Sequence, residues 1–397
     1  MSETGTRTGA RVGTEQAPGL STADIVERAS GLVPVLAQRA RQTEAMRRLP
    51  VETIDDLKSA GFLRIATPER FGGSGHEFNA GFEVSMELGR ACGSTAWCYS
   101  VWASHNWMVG QWPLPAQEEY FADGPDVLCS SSFAPQGRLD PVVGGYRLSG
   151  RWQFSSGSDA ATWALLGALS PQGQVFAILP RTDYEVVDTW VASGLKGSGS
   201  NDVAVDDVFV PVHRVAPYGT GGDDAVGWRL HGRPSYRVPT FSLLPWTLSA
   251  PLVGMAQGAI DDYVERLRNR ADSSRAGDSV AAQLRVAESS ACVDAARRTV
   301  RLHASDVVER GRRGEGISQE ELVMLRRDFS FVAKLAVHSV DILFDASGGH
   351  ALLDSDPMQR HHRDVHAGAH HVMLGWDAAA EGYGRLVFGL PPLARRP

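Results

Sequence analysis

The chain has 397 residues, 43% hydrophobic and 21% charged, with a formal net charge of −7. This acidic balance, without any Lys/Arg run interleaved with aromatics, argues against a nucleic-acid partner. No apolar stretch reaches the roughly 18 residues that a membrane span needs, and the length points to two or three domains.

Residues 1–20 are polar and rich in Gly, Thr and Ser. Lacking an apolar signal core, they read as a disordered tail on a cytoplasmic protein. Residues 21–125 carry a helical pattern. Ser21 or Thr22 caps a run ending near Arg48, Pro50 opens the next, Phe71 to Gly75 is a loop, and Phe78 to Ala91 resumes the helical period. Gly93 to Trp97 begins another helix. Residues 126–235 are different: short apolar runs at Tyr146–Ser149, Trp163–Gly167, Val175–Leu179 and Val203–Val210 lie between Gly, Pro and Asp, predicting an antiparallel sheet or barrel. Cys92, Cys98, Cys129 and Cys292 are scattered without CxxC spacing, as reduced thiols would be. Gly197 to Asn201 lacks the strand–loop–helix setting and following Lys of a phosphate loop and reads as a turn.

From 236 to 397 the helical period returns. Segments 247–271, 278–311 and 318–347 predict three long helices, completed as an antiparallel bundle by a last run, Met358 to Asp377. That run holds five of the chain's 12 histidines, at 361, 362, 366, 370 and 371. The spacing of His362, His366 and His370 places them on one helix face. A metal site is one reading of such spacing; no partner carboxylate motif is visible, so no metal is expected.

Four segments then carry a resemblance. Phe62 to Gly73, ending Pro-Glu-Arg-Phe-Gly-Gly, resembles the "P..FGG" segment of the acyl-CoA dehydrogenase superfamily. Asp206 to Pro211 resembles its "DV.VP" exit from the β domain, and Gly348-Gly349 and Arg363-Asp364 resemble its "GG" and "RD" pairs. The resemblance implies a mostly α protein with a central β domain: an N-terminal helical domain, a β-barrel-like middle domain and a C-terminal four-helix bundle. Dehydrogenases of this fold use a glutamate base. Aligning on Arg363-Asp364 puts Val372 at its commonest position, and aligning on Pro251 to Gly254 puts Leu243 at the alternative one. Neither side chain accepts a proton, so acyl-CoA dehydrogenation is not expected.

These departures resemble the oxygenase components of two-component flavin-dependent monooxygenases, which include phenol, hydroxyphenylacetate, secosteroid and aromatic polyketide hydroxylases. Trp152 to Gly157 resembles that branch's segment beside the flavin ring, Ser104-His105-Asn106 its substrate-side histidine segment, and Leu386 to Pro392 its tail. The resemblance implies reduced flavin (FMN or FAD) delivered by a separate NAD(P)H-dependent flavin reductase, O2 as co-substrate, and a homotetramer. It implies hydroxylation of a phenolic, indolic or polycyclic aromatic through a flavin C4a-hydroperoxide. Its catalytic residues are then His371 near C4a, with His370 as rival, His105 at the substrate OH or NH, and Ser156 at N5. Ser131, Trp152, Phe154, Ser155, Ser156, Gly348 and Gly349 are the expected cofactor contacts. Arg270 matches an arginine that reaches a neighbouring subunit's cofactor phosphate. Ser273-Ser274, standing where dehydrogenases carry Phe-Gly, favours FMN or an exchanging flavin. Trp102, Trp107, Trp152 and Trp163 are expected to wall the substrate cleft. The alternatives are a flavin dehydrogenase or oxidase with a relocated base, an N- or S-oxygenase, and a non-enzymatic flavin- or ligand-binding scaffold.

Overall fold

The computed structural model describes residues 21–270 and 279–392. The side chain of Arg270 and the pair Ser273-Ser274 lie outside the described residues, as does the tail 1–20.

Five helices open the chain: α1 (Thr22–Met46), α2 (Val51–Ser59), α3 (Ala80–Ala91), α4 (Gly93–Val109) and α5 (Leu114–Tyr120). Ser21 caps α1 in a reciprocal box with Asp24, satisfying two backbone amides that the first turn leaves open. All residues of α4 are buried. A helix without a polar stripe is stable only when surrounded, and α4 becomes the central pillar on which the functional site is built.

Seven strands follow: β1 (Cys129–Val142), β2 (Gly145–Ser155), β3 (Trp163–Ser170), β4 (Gly173–Pro180), β5 (Glu185–Val187), β6 (Asn201–Pro211) and β7 (Val215–Pro217). They form one sheet of order β5-β6-β2-β1-β3-β4-β7. The expected antiparallel pattern holds except at β1 and β3, which pair in parallel. The chain reverses after β2 but hops over β1 to its free edge, so β3 runs alongside β1 rather than against it. Residues 156–162 make that crossover and bring Ser156 against α4.

Helices resume at α6 (Val226–His231), earlier than residue 236, followed by α7 (Thr240–Leu243), α8 (Trp246–Arg270), α9 (Val280–Arg313), α10 (Gln319–Ser347), α11 (Pro357–Ala369) and α12 (Trp376–Val387). α8 to α11 make the bundle, α12 lies on α10, and α3 and α4 pack against α8. The α3–α8 contact needs two glycines: a Cβ on Gly89 would stand 2.7 Å from the Pro251 carbonyl, and one on Gly254 2.3 Å from that of Met86. No helix among the described residues is long and apolar enough to cross a membrane.

The last histidine run is not one helix. α11 stops at Ala369, and His371 takes an extended conformation (φ −59°, ψ 134°) before a single 3-10 turn, Val372–Leu374. His371 therefore leaves the helical register of His362 and His366.

Candidate functional site

A cavity of about 700 Å³ opens where α4, β1, the end of β2 and the turn after α11 converge. That volume is typical of sites that enclose most of a cofactor or drug-sized ligand. Two sheet irregularities shape it. Between Ser132 and Gly137 β1 slips against β3, so residues 133–136 swing out of the ladder and line the cavity. Between Trp152 and Ser155 β2 carries one residue more than β6. This bulge makes Gln153 and Phe154 consecutive cavity-lining residues where strict alternation would allow one. Phe154 sits at φ +66°, a strained conformation for a bulky side chain.

Ser156, just past the bulge, is buried. The Trp97 indole N–H donates to its Oγ (3.0 Å), which also hydrogen-bonds Ser200 Oγ (2.8 Å), and Ser200 bonds Ser198 Oγ (2.7 Å). The hydroxyl is thereby fixed at the cavity wall. Next to it Gly157 turns with φ +70°, and a Cβ there would lie 2.5 Å from the Trp102 indole nitrogen.

Two of the histidines that line the cavity, His105 and His371, stand in opposite tautomeric states. His105 Nδ1 lies 2.6 Å from the Cys129 carbonyl oxygen. A carbonyl only accepts, so Nδ1 carries the proton and Nε2 is left as an acceptor. At His371 the Met373 backbone N–H donates to Nδ1 (3.2 Å), so the neutral ring carries its proton on Nε2. Burial pushes both imidazoles down to about 4, keeping them neutral near pH 7. The His371 ring lies 6.0 Å from that of Trp97, and the His105 ring 5.9 Å from that of Phe133.

The wall from the other side is held by the Arg363-Asp364 pair. Asp364 Oδ1 accepts the Leu195 backbone N–H at 2.6 Å, and Arg363 donates to the Ser193 carbonyl at 2.7 Å. These bonds fix the loop that brings Leu195 and Trp190 to the cavity; the Trp190 indole donates to the Leu195 carbonyl.

Two family models match the chain: "Acyl-CoA dehydrogenase, N-terminal domain" over residues 32–121 and "Acyl-CoA dehydrogenase, C-terminal domain" over 246–376. The oxygenase subunit HsaA of a flavin-dependent monooxygenase from Rhodococcus jostii (strain RHA1) is 38% identical over 376 residues, covering 92% of this chain and 98% of that one. The chain belongs to the flavin-dependent monooxygenases of the acyl-CoA dehydrogenase fold. The oxygenase component of an FADH2-dependent resorcinol hydroxylase from Rhizobium sp. (strain MTP-10005) is 35% identical, with 93% and 95% of the two chains covered. The crystal structure of 3-HSA hydroxylase from Rhodococcus sp. RHA1 superposes with a TM-score of 0.89 at 38% identity, covering 93% of this chain and 98% of that one.

Of the residues singled out from sequence, this monooxygenase brings Ser131, Phe154, Ser156, His105 and His371 to one cavity, and His370 joins them. Seven others stand elsewhere. Trp152 is enclosed in the sheet core, its indole donating to the Gly167 carbonyl at 2.6 Å. Ser155, past the bulge, is fully buried and does not line the cavity. Gly348 and Gly349 are exposed in a 3-10 turn after α10. Trp102 and Trp107 are fully buried in the helical domain, and Trp163 does not reach the cavity either; its tryptophans are Trp97 and Trp190. Trp97 and Ser200 were missed because their role is a contact between distant segments, which no local spacing records.

Val372 lines the cavity and Leu243 is fully buried. Among the described residues lining the cavity there is no carboxylate, which agrees with the missing dehydrogenase base. His362 and His366 both turn Nε2 to Asp341 Oδ1 of α10, at 3.4 and 2.7 Å. The carboxylate that the sequence lacked nearby is thus supplied from a different helix, and the three ligand atoms lie within 4.8 Å of one another. His370 stands apart from that cluster, donating from Nδ1 to the His366 carbonyl. His361 is also paired, with Asp262 of α8 at 2.8 Å.

The cavity fits a flavin ring. It offers a hydroxyl held by hydrogen bonds at Ser156, a second hydroxyl at Ser131, and flat apolar walls at Trp97, Phe154 and Trp190.

Proposed function

We propose that this chain is the oxygenase component that hydroxylates the ring of a phenol or related aromatic, using reduced flavin from a separate reductase. It works in the cytoplasm as a homotetramer. The observation that carries this reading is the pair of neutral histidines, one donor and one acceptor, facing a single cavity whose described wall has no carboxylate base.

Reduced flavin, when bound, supplies the two electrons that activate O2, so that one oxygen atom enters the ring and the other leaves as water. His371, with its proton on Nε2, donates a hydrogen bond on the oxygen side and stays uncharged while doing so. On the substrate side His105 Nε2 accepts the hydroxyl hydrogen bond, drawing electron density into the ring that must attack. Ser156, anchored by Trp97 and Ser200, presents a hydroxyl to the cofactor edge. Ser131 and Phe154 contribute a second hydroxyl and a wall. Gly348 and Gly349, exposed in one chain, and Arg270 serve a cofactor shared between subunits. The apolar walls exclude water, which otherwise diverts the activated oxygen to hydrogen peroxide.

A reductase-coupled assay with isotopically labelled O2 tests this. One labelled oxygen atom per product molecule, with matching O2 uptake, is expected. Product formed from oxidised flavin without O2 would refute it in favour of a dehydrogenase.

A further inference from the structure

The cavity wall sorts ligands by charge. Among the described residues, the lining holds no Asp, Glu, Lys or Arg; its polar groups are hydroxyls, imidazoles and the amides of Gln136, Gln153 and Gln174. The wall also has a direction. From His105 a series of rings runs through Phe133 at 5.9 Å, the buried Phe176 at 4.8 Å from it, Tyr218 at a further 4.7 Å and Phe241 at 5.0 Å. Phe133, Tyr218 and Phe241 face the cavity.

We propose that the substrate is an uncharged aromatic of more than one ring bearing a hydroxyl at one end, and that aromatic acids of the same shape are rejected. This rests on the hydroxylase reading above. The hydroxyl donates to His105 Nε2, which as a bare acceptor requires a donor and has nothing to offer an anion. The remaining rings lie along the phenyl wall, whose faces carry partial negative charge. A carboxylate carried there would lose its hydration and meet no Lys or Arg side chain among the described lining residues. His370 is the one lining imidazole that is exposed to solvent.

The test set is p-phenylphenol and its analogues with a carboxamide or a carboxylate on the far ring, titrated calorimetrically into flavin-loaded enzyme at pH 8. That pH lies above the ordinary range of imidazole protonation. Parent and carboxamide should bind within about 10-fold of each other and the carboxylate at least about 100-fold more weakly, an unpaired buried charge being far costlier than a neutral amide. His370→Ala should keep that ratio. Equal or tighter binding of the carboxylate, or binding of none of the three, would overturn the proposal. The same set in the coupled assay separates the two readings. Efficient hydroxylation of the acid overturns charge selection and leaves the hydroxylase standing. Selective binding without oxygenated product from any of the three overturns the hydroxylase and leaves charge selection standing.

Discussion

Replacing His105 with glutamine removes a titrating group while keeping an N–H donor for the Cys129 carbonyl. In the folded chain burial holds this imidazole at about 4, against an ordinary value of 6.5. Between those values the unfolded chain binds a proton that the folded chain does not, so stability falls as pH drops through this window and levels off below it. Between pH 7 and pH 4.5 the loss from this one group is on the order of 2 kcal/mol. Urea unfolding of wild type and His105→Gln at pH 7 and pH 4.5 measures it as a difference of differences, so that the other acid-sensitive groups cancel. Wild type should lose on the order of 2 kcal/mol more than the variant. An equal loss in both chains would mean that His105 takes up its proton in the fold as readily as in the unfolded chain, which would refute its being held neutral by burial. In catalysis the same neutrality predicts a kcat/KM that is flat from pH 8 down to about 5.5; a limb centred on the ordinary imidazole range would contradict it.

The remaining predictions concern the cavity and its support. Ser156→Ala should keep O2 uptake but raise the share of electrons released as hydrogen peroxide, read by catalase addition; unchanged coupling would remove Ser156 from the site. Trp97→Phe keeps the ring beside His371 and deletes one neutral hydrogen bond, worth about 0.5–1.5 kcal/mol, so peroxide release should rise about 2- to 12-fold. His371→Ala should abolish most product formation while His370→Ala retains it, with the reverse outcome exchanging their roles. Gly157→Ala forces a Cβ against the Trp102 indole at φ +70°. It should cost at least about 2 kcal/mol, seen as a lower melting temperature.

Much of this protein was determined by its sequence. The helical periods of the first and last zones and the β-branched runs between them reflect local sterics and burial, which act residue by residue. Val372 and Leu243 excluded a proton-abstracting base because chemistry is a property of the side chain itself. The histidines at 105 and 371 were readable as types, as was Ser156. Their states were not. The tautomers depend on the Cys129 carbonyl and the Met373 amide, which are set by backbone geometry. The helix expected to reach Asp377 stops at Ala369, and only that break turns His371 toward the cavity. Likewise, the bulge in β2 faces Phe154 into the cavity and leaves Trp152 in the core. Trp97, Ser200 and Asp341 took their places through contacts between segments far apart in the chain. Tertiary packing decided these because a side chain's type is local, whereas its aim and its partners belong to the whole fold.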